Sequence, residues 1–308
     1  MSTHSYPPIG KLIDVSGFRL HVYPVGESGP TVVFEAGGGN WSLDWQLVQP
    51  EVAKFTCACS YDRAGFGWSD PGVKPRTSLQ MVKELHTLLL QTHVPKPYVM
   101  VGASLGGHPV RLYAKYYPDE VAGIILVDAR HEDLNSKMPP SWQKLEKSGK
   151  AMLRFMILAS RLNVLPLIVK LVGNKAMPPI AKKMPPEILP MYLEVGFTPK
   201  YWANNLDEFE AVAESDKQLR AAGGLGDLPL TVIRHGIPDL FARLPGPEAG
   251  QAEQVWQSLQ LELAKLSTNG QLLIAEKSGH GIQLEQPDMV VDAIREMVER
   301  VRGASSSS

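Results

Sequence analysis

The chain has 308 residues, 44% of them hydrophobic and 20% charged, enough for a sizeable core in one large α/β unit with an insertion. Its 31 Lys and Arg against 32 Asp and Glu leave a net charge of −1, which gives no electrostatic case for nucleic acid or an anionic membrane surface. Two cysteines, no further ligands at metal spacing and no basic-then-apolar stretch at the N-terminus give no support to a disulfide framework, a metal site or a signal peptide, and a cytoplasmic setting is expected.

Taken in chain order, Leu12 to Val15 and Phe18 to Val25 read as an antiparallel pair joined through Ser16-Gly17. Thr31-Val32-Val33-Phe34 reads as a buried strand, and the glycine-rich loop Glu35-Ala36-Gly37-Gly38-Gly39-Asn40-Trp41 follows it. A helix is expected around Trp45 to Lys54, then a strand from Thr56 to Tyr61 with Cys57 and Cys59 on one face as small core residues. Ser78 to His93 is expected as a helix behind a Thr77 or Ser78 cap, with Leu79, Val82, Leu85, Leu88 and Leu89 forming one apolar stripe.

Pro97 to Val101 is a short apolar strand candidate that runs into Gly102-Ala103-Ser104-Leu105-Gly106 and then a helix from Gly107 to Tyr117. Strand, sharp turn and helix turn this G-x-S-x-G pattern into a nucleophile elbow. Glycines are needed there because a Cβ would clash with the packed strand and helix. Gly123 to Val127 reads as the next strand and ends in Asp128. Such alternation implies a mostly parallel sheet with helices on both faces.

From His131 to Gly226 helical periodicity continues without strands, so residues 131–226 are expected to form a helical cap over a core of residues 1–130 and 227–304. Ala151 to Val172 is apolar, but Arg154, Arg161, Asn163, Pro166 and Lys170 interrupt it, which predicts two amphipathic helices and no membrane span. The core pattern resumes with the strands Leu230 to His235 and Gln271 to Ala275. The glycine-flanked His280 follows in Lys277-Ser278-Gly279-His280-Gly281, and a last helix spans Met289 to Arg302 behind an Asp288 cap. Residues 305–308 are four serines, expected to be a disordered tail.

A serine at an elbow needs a histidine far away in sequence and near in space, and His280 can reach the top of the sheet. The backbone N–H groups of Leu105 and Gly38 are the candidates for an oxyanion hole. No G-K-[ST] follows the three glycines, which argues against a phosphate-binding loop.

The ordered set of the glycine-rich loop, Tyr61-Asp62-Arg63-Ala64-Gly65-Phe66-Gly67-Trp68-Ser69, the elbow and Ser278-Gly279-His280 resembles the α/β-hydrolase fold in its cap-bearing serine-hydrolase branch, over nearly the whole chain. Two positions depart from many relatives: Ala36 stands where they carry histidine, and Ala103 stands where they carry histidine before the serine. The resemblance implies an eight-stranded sheet and places the triad acid either at Asp239, in Gly236-Ile237-Pro238-Asp239, or one strand earlier at Asp128. Asp128 is preferred because it ends a strongly apolar strand; Asp239 is the alternative, and Glu132 and Asp133 are further candidates.

The expected reaction is acyl transfer from a hydrophobic carboxylic ester or lactone to water, which requires no cofactor. Trp41, Ala103, Trp142 and Phe155 are expected at the substrate, and Trp68, Met152, Met156, Tyr192, Phe197 and Trp202 are within possible reach. The expected partner is a small-molecule ester, in a monomer or homodimer. Dehalogenases and epoxide hydrolases of this fold use an aspartate nucleophile, so Ser104 speaks against them. An aminopeptidase would use cap carboxylates such as Glu187, Glu194, Glu208 and Glu210 to hold an amine. A hydrolase-like binding protein with little turnover is the reading from a different class.

Overall fold

The computed structural model describes residues 6–162, 164 and 180–305. Its centre is an eight-stranded sheet: β1 (Lys11–Asp14), β2 (Arg19–Val25), β3 (Thr31–Glu35), β4 (Ala58–Tyr61), β5 (Tyr98–Ala103), β6 (Val121–Val127), β7 (Leu230–His235) and β8 (Gly270–Ala275). The spatial order is β1-β2-β4-β3-β5-β6-β7-β8, and β2 alone runs antiparallel to its neighbours. β5 therefore lies inside the sheet, between β3 and β6.

The strands carry apolar side chains on both faces, as parallel strands covered by helices must. Val99, Val101 and Ala103 face one core layer while Tyr98 and Met100 face the other, the period of two that a pleated strand imposes. Beyond the single helical turn α1 (Gln49–Val52), helix α2 (Ser78–Thr92) turns Met81, Val82, Leu85, Leu88 and Leu89 inward, and the Thr77 hydroxyl accepts from the Gln80 N–H at 3.3 Å as its cap. Each such aliphatic side chain adds about 1.5–3 kcal/mol over leaving it in water.

Several boundaries differ from the sequence reading. The helix expected at Trp45 to Lys54 is a 3₁₀ turn (Ser42–Trp45) and a single turn of helix (Gln49–Val52), interrupted before Pro50. The strand expected from Thr56 starts at Ala58, because the Cys57 N–H and the Thr56 hydroxyl donate to the Ser28 carbonyl instead. The last helix, Pro287–Ser305, places Asp288 inside its first turn and carries Ser305, so that residue is helical. Residues 306–308 lie outside the described residues.

Between β6 and β7 the described chain is helical: Leu134–Lys137, Pro140–Arg161, a 3₁₀ turn Ile180–Lys183, Leu189–Gly196 and Pro199–Ala222. Pro140–Arg161 packs on Pro199–Ala222, which also touches α2 and the helix Gly107–Tyr116. The second helix expected after Asn163 falls outside the described residues. Among the described residues no helix is long and apolar enough to cross a membrane.

Candidate functional site

The site forms at the carboxyl ends of β3, β5, β6 and β7. Ser104 follows β5 with φ of 50°, a left-handed conformation that a non-glycine residue holds only under constraint. The neighbouring glycines allow it. A Cβ on Gly102 would lie 2.5 Å from the Gly106 carbonyl oxygen, and one on Gly106 would lie 2.6 Å from that of Ala36. A 3₁₀ turn from Ser104 runs directly into the helix Gly107–Tyr116, so the serine sits at the positive end of a helix.

The structure brings Ser104, His280 and Asp128 together across 176 and 152 residues of sequence. His280 Nε2 is 3.0 Å from Ser104 Oγ, and Nδ1 is 2.6 Å from Asp128 Oδ2. Asp128 is fully buried at the end of β6, also with a positive φ, of 44°. Four donors fill its four lone-pair positions: His280 Nδ1 and, at 2.7 Å, His235 Nδ1 on Oδ2; the His235 N–H at 3.1 Å and Trp256 Nε1 at 3.0 Å on Oδ1. Burial acts to raise the carboxyl, but the hydrogen bonds from His235 and His280 outweigh it and hold it well below the usual carboxylate range.

Asp239 is placed differently. Its carboxylate accepts from the His280 backbone N–H at 2.9 Å and from Lys183 Nζ at 2.9 Å, so it holds the loop and leaves the imidazole to Asp128. Glu132 is paired in bidentate fashion with Arg111, and Asp133 with Arg220. None of the three touches the His280 ring.

A second buried network braces the glycine-rich loop. Arg63 donates from Nη1 to the Ala36 carbonyl at 2.6 Å and from Nη2 to the Gly37 carbonyl at 2.7 Å. The same guanidinium pairs with Glu35 at 2.6 Å and with Glu208 of the helix Pro199–Ala222 at 2.9 Å. Burial pushes the Glu35 carboxyl up, against the pull of Arg63. Tyr61 also donates to Glu35.

Ser104, Leu105, Gly38 and His280 open on a cavity of about 260 Å³. Its walls are mostly apolar, from Leu134, Trp142, Phe209, Val212, Leu240, Phe241 and Trp256, with Arg130, Glu146, Asn205 and Glu208 as polar groups. Arg130 is paired with Asp216 at 2.5 Å, and burial between Arg130 and Arg111 pushes the His108 imidazole well down, so that ring is neutral.

Of the four residues expected at the substrate, Trp142 lines this cavity and three are placed elsewhere. Trp41 is fully buried and stacks on Tyr192 with ring centroids 4.1 Å apart, so close to the helix Leu189–Gly196 that a Cβ on Gly196 would overlap its indole. Ala103 is buried within β5. Phe155 is 52% exposed: at 100° per residue it lies roughly 140° around its helix from Trp142. Trp68, Tyr192, Phe197 and Trp202 join Trp41 in a separate apolar cluster, and Met152 faces outward. Arg63, Arg130, His235, Glu253 and Trp256 were not singled out by sequence. The usable signal was charged or imidazole side chains at the ends of otherwise apolar strands, as Glu35 and His235 are, or in the first residues after them, as Arg63 and Arg130 are.

Among the described residues, two trios have the spacing to hold a metal ion: Asp128, His235 and His280, and His131, Asp133 and Glu262. In the first, both histidines already spend Nδ1 on Asp128. In the second, Asp133 is paired with Arg220 and Glu262 with Lys137. Hydrogen bonding and ion pairing thus account for both.

The sequence of residues 30–155 matches the family model of the α/β-hydrolase fold. The uncharacterized protein YqjL of Bacillus subtilis is 27% identical over 286 residues, which cover 92% of this chain and 90% of YqjL. Among solved structures, a thermophilic esterase from Thermogutta terrifontis superposes with a TM-score of 0.64 at 21% identity, covering 94% of this chain and 98% of that one. A putative epoxide hydrolase from Pseudomonas aeruginosa superposes with a TM-score of 0.71 at 18% identity, covering 96% of each chain. The chain has the α/β-hydrolase fold. The family match supports a hydrolase.

Proposed function

We propose that the protein is a serine hydrolase that cleaves carboxylic esters or lactones of small to medium hydrophobic groups through an acyl-enzyme. The observation that carries this reading is the line from Asp128 through His280 to Ser104 Oγ, with spacings of 2.6 and 3.0 Å, at the floor of a mostly apolar cavity. A carboxylate on Nδ1 fixes the proton there and leaves the Nε2 lone pair facing the serine, as a general base requires.

In the proposed reaction His280 Nε2 takes the hydroxyl proton as Ser104 Oγ bonds to the carbonyl carbon. The carbonyl electron pair moves to oxygen, and the oxyanion lies against the N–H groups of Leu105 and Gly38. Arg63 supports the second donor: a trans peptide points its C=O and N–H in opposite directions, so holding the Gly37 carbonyl fixes the Gly38 N–H away from Arg63. Collapse of the intermediate expels the alkoxide, which receives the proton from His280. Water then attacks the acyl-enzyme by the same steps.

Residues 131–226 act as a cap over the core formed by residues 1–130 and 227–304. Trp142, Phe209 and Val212 contribute its underside to the cavity wall, which favours hydrophobic substrates. The aminopeptidase alternative is less favoured: of its candidate amine-binding carboxylates, Glu208 is held by Arg63, Glu210 by Arg154 at the surface, and Glu187 is exposed.

The test is hydrolysis of p-nitrophenyl esters from acetate to laurate, with Ser104→Ala beside the wild type and fluorophosphonate labelling in parallel. Turnover and labelling that both vanish in the variant are expected. A folded wild type that neither turns over nor labels would refute the reading in favour of a binding protein.

A further inference from the structure

We propose that His235 is a positioning residue for this site: held as an imidazolium between Asp128 and Glu253, it fixes the Asp128 carboxylate and draws off part of the negative charge available to His280. The proposal rests on the serine-hydrolase reading of Ser104 and His280.

His235 ends β7, is 1% exposed and does not reach the cavity. Its Nδ1 is 2.7 Å from Asp128 Oδ2, and its Nε2 is 3.0 and 3.2 Å from the two oxygens of Glu253. A neutral imidazole carries one N–H, so one ring nitrogen would present its lone pair to a carboxylate oxygen at hydrogen-bond distance. With both nitrogens protonated, both contacts become charge-assisted hydrogen bonds and one buried cation balances two flanking anions. Burial by itself pushes the imidazole down; the hydrogen bonds to Asp128 and Glu253, with their charges, override it and raise it to about 10.

The remaining polar groups around the pair support this arrangement. Gln257 Nε2 donates to Glu253 at 2.9 Å, Trp256 Nε1 donates to Asp128, and Arg234 Nη1 donates to the carbonyl of His235 at 3.0 Å. From the loop after β8, His280 is the second donor on Asp128 Oδ2. Two histidines therefore share one carboxylate oxygen, and only one of them faces Ser104. The His235 charge opposes the appearance of a second positive charge on His280.

Two measurements test this. In ¹⁵N-histidine NMR of the wild type from pH 5 to pH 9, one histidine should keep both ring nitrogens protonated throughout. That signal should be missing in His235→Asn and should titrate inside the range in Glu253→Gln. In the pH dependence of kcat/KM on p-nitrophenyl butyrate, His235→Asn keeps a donor for Asp128 but loses the charge. Its acid limb should move up by about one pH unit, roughly a tenfold loss below the limb. His235→Gln serves if the first variant does not fold.

A wild type with every histidine neutral at pH 9 overturns the proposal, and so does an acid limb that stays in place while the rate falls equally at all pH. A wild type without esterase turnover would refute the hydrolase reading, and with it the positioning role. The NMR arm would still decide the charge on His235.

Discussion

Replacing Asp128 by Asn tests the site where the structure is most specific. The carboxylate accepts four hydrogen bonds, two on each oxygen. An amide offers one accepting oxygen and one donating NH₂, so two of the four donors must face another donor. If the NH₂ takes the Oδ2 position, it meets the Nδ1–H of both His235 and His280. His280 then accepts at Nδ1 and carries its proton on Nε2, toward Ser104, where no base remains. The expected loss in kcat is about 10,000-fold, or about 5.4 kcal/mol of barrier.

The same change leaves the His235 imidazolium with Glu253 as its single anion. Breaking one partner of a buried pair costs about 3–5 kcal/mol, a Tm drop of roughly 6–20 °C for a chain of this size. The assay is kcat on p-nitrophenyl butyrate at pH 8, with a thermal melt by circular dichroism. Asp239→Asn is the control: its carboxylate touches Lys183 and a backbone N–H, so kcat should stay within about tenfold. An Asp128→Asn enzyme within tenfold of wild type, or a larger loss in Asp239→Asn, would refute the reasoning.

Arg63→Lys removes the two-pronged hold on the Ala36 and Gly37 carbonyls, and kcat should fall by about 100-fold with KM little changed, read by steady-state kinetics. Asp44 is fully buried with Oδ2 unpartnered among the described residues, and burial raises its carboxyl from 3.8 to about 7. A carboxyl raised on folding weakens the fold as pH rises through that window, because the unfolded chain ionises first. Asp44→Asn should therefore gain about 1–3 kcal/mol in urea unfolding at pH 8 and close to nothing at pH 4. Val212→Trp adds an indole to the cavity wall, and the optimum on p-nitrophenyl esters should shift to shorter chains, with octanoate losing at least about tenfold relative to acetate.

The apolar runs of β3, β5, β6 and β7 and the stripe of α2 were readable because strand and helix periods are local and the core selects them directly. The turn at Ser104 was readable for a similar reason: its glycines stand beside backbone that leaves no room for a Cβ, so the constraint is written within five residues. The chain alone thus determined the alternating architecture, the order of its loops and the two residues Ser104 and His280 as a candidate pair.

The sequence left Asp128 and Asp239 as competing acids, since both follow strands that end near the same edge. Only the packing of β6 beside β7 aims the Asp128 carboxylate at the imidazole, and the loop carrying Asp239 meets the backbone of His280 instead. The cavity was equally out of reach. Trp41 and Phe155 have the chemistry of pocket residues, but the seating of one helix on Trp41 and the helical phase of Phe155 place them elsewhere. Arg63 with Glu208, and His235 with Glu253, join elements 145 and 18 residues apart. Such pairings depend on where whole elements dock, and no local periodicity encodes that.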